Sequence, residues 1–166
     1  MDQAQGAIDA ARAAGADKYA TSEYSAATDA LKNANTAVAA RDFRLALNHA
    51  LESREHAQNA ARDAADAQAR VRVEVERARA EIATLVTQGR NRLAAAERAR
   101  VPRPRLEQPA KDLTAIEAVL QETGEAVAAG DYLAAKATIE GVKGQVEAIL
   151  AAIDAAAASP SLRRRR

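Results

Sequence analysis

The chain has no cysteine and no tryptophan, and only one phenylalanine, three tyrosines and one methionine among its 166 residues. Without cysteine there is no disulfide, no thiolate chemistry and no cysteine metal site, and the redox compartment stays open because such a chain works in any of them. Charge of one sign is missing as well. Lysine and arginine number 24 against 23 acidic residues, so the overall charge does not advertise a nucleic-acid protein. No window approaches the roughly 18 apolar residues of a membrane span. The opening MDQAQGAIDA lacks a basic stretch followed by an apolar run, so no signal peptide is visible, and an exported protein would carry its leader outside this sequence. There is no G-x-x-x-x-G-K phosphate loop and no G-x-S-x-G elbow. The carboxylates read as paired or solvated along helix faces, with no two converging on a shared pocket as acid–base catalysis requires. The expectation is a protein without catalytic residues, cofactors or small-molecule substrate, and not an enzyme.

Alanine is what the chain has in excess: 47 residues, more than half of the apolar class. Much of any core must then be methyl groups, which requires backbones to approach closely. Alanine is also the best helix former, and the seven glycines and four prolines sit mostly near probable helix ends. An all-α fold follows.

Its organisation is legible in a repeat. AVAARDF, residues 37–43, returns as AVAAGDY at 126–132, an offset of 89. Before the phrase, Tyr24, Ala27, Leu31, Ala34 and Val38 keep helical spacing, matched by Leu113, Ile116, Leu120, Thr123 and Val127. After it, Phe43, Ala46, Ala50, Ser53, Ala57, Ala60 and Ala64 are matched by Tyr132, Ala135, Ile139, Val142, Val146, Ile149 and Ile153. The phrase supplies the turn of a helical hairpin: Asp42 and Asp131 can each cap the returning helix, and Gly130 suits the left-handed position past the previous one. Phe43 and Tyr132 are expected to plug the closed ends of the two hairpins.

From Phe43 to about Ala99 the only helix breaker is Gly89, which predicts one helix spanning roughly 85 Å at 1.5 Å per residue. Its apolar seam changes phase near Ala67, Val71 and Val75, so each end can serve a different hairpin. Along RVRVEVERARAE, Arg70 with Glu74, Arg72 with Glu76 and Arg77 with Glu81 suit a solvated helix. Breaker clusters at 13–20 and 100–109 leave helices near 3–14, 20–40, 43–99, 109–129 and 131–157. The predicted architecture is an elongated helical bundle of two three-helix units, residues 1–70 and 71–158, which share the long helix as spectrin repeats do, with a basic tail at 159–166.

AARAAGADKYATSEYSAATDAL, residues 10–31, and ARDFRLALNHALESREHAQNAARDAADAQAR, residues 40–70, carry a more specific likeness. Over about residues 4–85 the chain resembles a bacterial envelope domain of unknown function, the family numbered four-three-nine-eight. That family has an AGAxxYAPxE signature and is often found in lipoproteins of Gram-negative bacteria. Ala14, Gly15, Ala16, Tyr19, Ala20 and Glu23 match, and Thr21 stands where proline is usual. The resemblance implies attachment to an outer membrane or nearby cell wall, in the periplasm, and brings no catalytic residues. The alternative to an envelope location is the cytoplasm.

Candidate sites are few. His49, Glu52 and His56 share a stripe, yet three ligands on one exposed helix make a poor metal site, so no metal is expected. Arg98, Arg100, Arg103 and Arg105 cluster at the prolines, and Arg163, Arg164, Arg165 and Arg166 end the chain. In the hairpin arrangement both clusters fall at one pole, while residues 107–154 between them hold nine acidic side chains and three lysines. Such a pole could grip anionic lipid or another polyanion. Nucleic acid is disfavoured because no aromatics interleave with the arginines. Val71, Val73 and Val75 lie at the predicted junction and are candidates for self-association. The composite expectation is a non-enzymatic spacer or interaction scaffold of the bacterial envelope with a protein partner or a second copy. The alternative is a binding module, for a polyanion or for an unfolding client held in an apolar groove.

Overall fold

A computed structural model describes residues 1–158. It is all-α, with no strand among the described residues, and its helices pack in bundles around one long member. In order these are α1 (Asp2–Ala13), α2 (Ala16–Tyr19), α3 (Thr21–Ala39), α4 (Phe43–Arg98), α5 (Arg103–Ala128), α6 (Tyr132–Ile139) and α7 (Val142–Ala158). The chain divides into two compact units, Met1–Arg70 and a second beginning at Val71, and α4 contributes to each. The basic tail proposed for 159–166 lies outside the described residues.

In the first unit α3 and α4 form an antiparallel hairpin. Ser53 Oγ on α4 donates to the Ala27 carbonyl on α3 at 2.7 Å, and His56 Nδ1 meets Glu23 Oε2 at 2.8 Å. α1 lies parallel to α4 in the groove of that hairpin: Arg54 Nη1 donates to Gln3 Oε1 at 3.2 Å, and Gln68 Nε2 to the Ala14 carbonyl, also at 3.2 Å. From the α1 side Arg12 Nε reaches the Tyr24 hydroxyl at 2.7 Å. The buried core joins Ile8 to Ala11, Ala16, Ala27, Ala57, Ala60 and Ala64. A core of methyl groups requires axes closer than leucine or isoleucine would allow, and it forfeits most of the roughly 0.8 kcal/mol that each further buried methylene contributes.

The second unit repeats the plan with larger side chains. Its core joins Ile82, Val86 and Leu93 of α4 to Leu106, Leu113 and Ile116 of α5 and to Val142, Val146, Ile149, Leu150 and Ile153 of α7. α5 runs antiparallel to α4, held by a two-pronged ion pair: Arg90 Nε donates to Glu117 Oε1 at 2.8 Å and Nη2 to Oε2 at 2.6 Å. That hydrogen bonding holds the Glu117 carboxyl below its ordinary range. α6 and α7 run parallel to α4, tied by Lys136 to Glu74 (2.7 Å), Lys143 to Glu81 (3.2 Å) and Arg92 to Asp154. Gly89 is a place of close approach: a Cβ there would stand 2.9 Å from Leu113 Cδ1 and 3.2 Å from Leu150 Cδ2. The one glycine inside α4 thus marks tight packing and leaves the helix unbroken.

Both turns are capped as the repeated phrase predicts. Asp42 Oδ1 accepts from the Leu45 amide at 2.9 Å, and Asp131 Oδ1 from the Ala134 amide at 3.2 Å. Gly130 takes a left-handed φ of 79°, and Arg41 holds the equivalent position at φ 62°.

Four expectations are corrected. The last helix is not one piece over 131–157: Glu140 is extended and Gly141 has φ 76°, which separates α6 from α7. The apolar seam still steps from Ile139 to Val142 across the break. The proline cluster breaks the chain only before Arg103. Pro104 sits in the first turn of α5, where no N–H is needed, and Pro109 is tolerated inside the helix with its ring buried. Glu74 pairs with Lys136 rather than with Arg70, whereas Arg72–Glu76 and Arg77–Glu81 form as spaced. Finally, Val38 of the predicted seam faces solvent, and Ala30 and Ala37 are buried beside Ala27 and Ala34 instead.

Candidate functional site

The expected plug of the first hairpin is overturned most clearly. Phe43 is exposed, whereas its counterpart Tyr132 is half-buried. The cause lies in the third helix of each unit. In the second unit α4 runs past the α5–α6 turn, as the Lys136–Glu74 pair marks, so Tyr132 has a neighbour. In the first unit α1 accompanies α4 only between Arg54 and Gln68, and the hairpin continues toward its turn as two helices.

That two-helix end presents large apolar side chains to solvent. Phe43, Leu47 and Leu51 step by four along α4, and Val38 stands near them at the end of α3. They are 67, 60, 46 and 40% exposed respectively, which for side chains of this size sums to roughly 400 Å² of exposed surface. Val38 extends the α3 face that carries Tyr24 and Leu31 under α1. Leu45, also exposed, projects from the opposite flank of α4. The floor beneath the stripe is already closed by Ala34, Ala37 and Ala46. The large side chains are thus the solvated ones here and the alanines the buried ones. Scattered single apolar residues on a surface would need no explanation.

The other candidates fare differently. Val75 is buried in the second unit beside the Glu74–Lys136 pair and Val71 is half-buried, so of Val71, Val73 and Val75 only Val73 is open to solvent. Arg98, Arg100, Arg103 and Arg105 are exposed around the α4–α5 turn. There Arg100 and Arg103 share a shallow concavity with Glu97 and Glu107 over Val101, Leu106 and Ala110. The turn is thus of mixed charge, and Glu107 is further tied to Lys111 at 2.7 Å, which depresses its pKa. Arg163 to Arg166, the other half of the predicted basic pole, lie outside the described residues. The His49–Glu52–His56 stripe does not converge. His49 binds Glu52 at 2.9 Å while His56 turns to Glu23, and among the described residues no group of three side chains could hold a metal ion. No described helix is long and apolar enough to cross a membrane.

Sequence reasoning missed the Phe43–Leu47–Leu51 stripe, although its signal was present. Leu45, Leu47 and Leu51 all fall off the Ala46–Ala50–Ser53–Ala57 seam, so the large residues of this segment stand where the small ones do not.

No curated protein and no solved structure matches the chain. Residues 1–75, which take in the first unit and the exposed stripe, match the model of one family, described as a domain of unknown function (DUF4398).

Proposed function

We propose that the protein is a non-enzymatic helical scaffold of the bacterial cell envelope, and that it works by holding an apolar docking face for a helical protein partner. The observation that carries this reading is the solvated Phe43–Leu47–Leu51 stripe with Val38. A standard protein interface needs an apolar centre that excludes water, and roughly 400 Å² is the size of the largest apolar patch on a typical protein surface, a patch that is often functional. The uninterrupted run of α4 from Phe43 to Arg98 supports the scaffold part, because the helix that carries the stripe is anchored along its length by two packed cores. The envelope location rests on the family resemblance of the first unit.

The test is site-specific photo-crosslinking in cells from position 47, beside the same probe at the exposed Gln58 on α4. The expected result is a discrete adduct from position 47 and none from position 58. Equal, diffuse labelling at both positions would contradict the docking-face reading.

A further inference from the structure

The stripe has a polarity of its own. Its turn end carries exposed Arg41 and Arg44, with Asp42 between them engaged as the cap of α4, and its far end carries exposed Glu52 and Glu55, with Arg54 between them tied to Gln3 and His49 beside Glu52. Between the two ends lie Phe43, Leu47 and Leu51, evenly spaced. A surface that is basic at one end, apolar in the middle and acidic at the other is complementary to itself turned end for end. Resting on the docking-face reading above, we infer that the partner of this face is a second copy of the same chain, paired antiparallel about a two-fold axis through Leu47.

The register follows from helix geometry. With Leu47 on the axis, Phe43 of one copy lies against Leu51 of the other, and the reverse holds, so three apolar layers close on one another. Arg44 and Arg41, on the flank of the stripe, then come beside Glu52 and Glu55 of the second copy. Four ion pairs ring the apolar centre, two at each end. A parallel pairing would place arginine on arginine and glutamate on glutamate, at a cost in repulsion, so the charge pattern selects the antiparallel form. The area agrees as well. A standard interface buries about 800 Å² per partner, a little over half of it apolar, and roughly 400 Å² from the four side chains supplies nearly all of that share. The missing third helix leaves room: between Phe43 and Arg54 no part of α1 stands over the stripe.

Because the chain has no cysteine, a single introduced thiol reports the register directly. Leu47→Cys is expected to form a disulfide-linked dimer on mild oxidation. Phe43→Cys alone is expected not to, and an equal mixture of Phe43→Cys and Leu51→Cys is expected to give the mixed dimer. In sedimentation equilibrium the unmodified chain should be a dimer at micromolar concentration. Leu47→Glu should weaken it by about a hundredfold or more, since two carboxylates would meet on the axis, while helical circular dichroism stays at the parental value and melting matches the parent's at concentrations low enough for both to be monomeric. Arg44→Glu should weaken the dimer and Arg44→Glu with Glu52→Arg should restore it. A chain that remains monomeric at several hundred micromolar, or a Leu47→Glu dimer as tight as the parent, overturns self-pairing. If self-pairing fails while the position 47 probe still yields a discrete adduct of another mass, the docking face stands and its partner is a different protein. If position 47 labels no differently from position 58, the face itself is lost.

Discussion

Leu113→Ala is expected to destabilise the second unit by about 4 kcal/mol, toward the upper end of the range for leucine truncation in a core. Leu113 is fully buried, and both its terminal methyl groups press on the backbone of α4 at Gly89, where a glycine offers no side chain to swing into the space. The helices that frame the void are also pinned, α5 to α4 by the Arg90–Glu117 fork and α7 to α4 by Arg92–Asp154. Collapse is therefore limited, and the cavity term remains in full. Amide exchange of α5 and α7 under native conditions checks this: protection there should fall by close to a thousandfold. A drop of less than tenfold would mean that the core relaxes around the loss.

Ala60→Leu is expected to do comparable harm in the first unit by the opposite route. Ala60 is fully buried among Ala57, Ala64, Ala27 and Ile8, where the helices can approach only because the side chains stop at Cβ. Three extra carbons cannot be placed without moving α1 or α3 outward, and overpacking of this size costs about 3 kcal/mol. The core has little to spare, since it is built from methyl groups that each contribute little. The melting transition of α1 and α3, followed by exchange or by tyrosine fluorescence from Tyr19 and Tyr24, should shift down by several degrees or vanish into the baseline. Gln58→Ala, at an exposed position on the same helix, should leave it where it is. Equal melting of Ala60→Leu and the parent would show that the first core is not close-packed.

The two predictions differ in kind because the two copies of one plan are filled differently, and that difference was legible in the sequence. Ala57, Ala60 and Ala64 of the first copy stand where Val146, Ile149 and Ile153 stand in the second, and all six are buried. The caps at Asp42 and Asp131 and the left-handed Gly130 were legible as well, because capping depends on residues within one turn. What escaped depends on distant neighbours. AVAARDF and AVAAGDY are nearly the same phrase, yet Phe43 is solvated and Tyr132 is half-covered, since only the second hairpin has a third helix that reaches its turn. Val75 was expected to lie open at the junction of the two units, but α6 runs beside that stretch from more than fifty positions away. The break at Gly141 was hidden by a seam that keeps its step through it, although Gly141 and Gly144 stood in plain view. The prolines misled in the other direction. Pro104 at the start of α5 needs no donor, a rule of position that residue type alone does not reveal.

The account as a whole depends on α4 being one helix through residues 65–77, where the two cores hand over. Backbone Cα chemical shifts of this segment test it most directly. The structure predicts an unbroken run of helical shifts from Ala65 to Arg77, with neither a turn nor a coil residue among them. Three or more consecutive residues with coil values in that run would contradict a shared helix, and the scaffold reading built on it would go too.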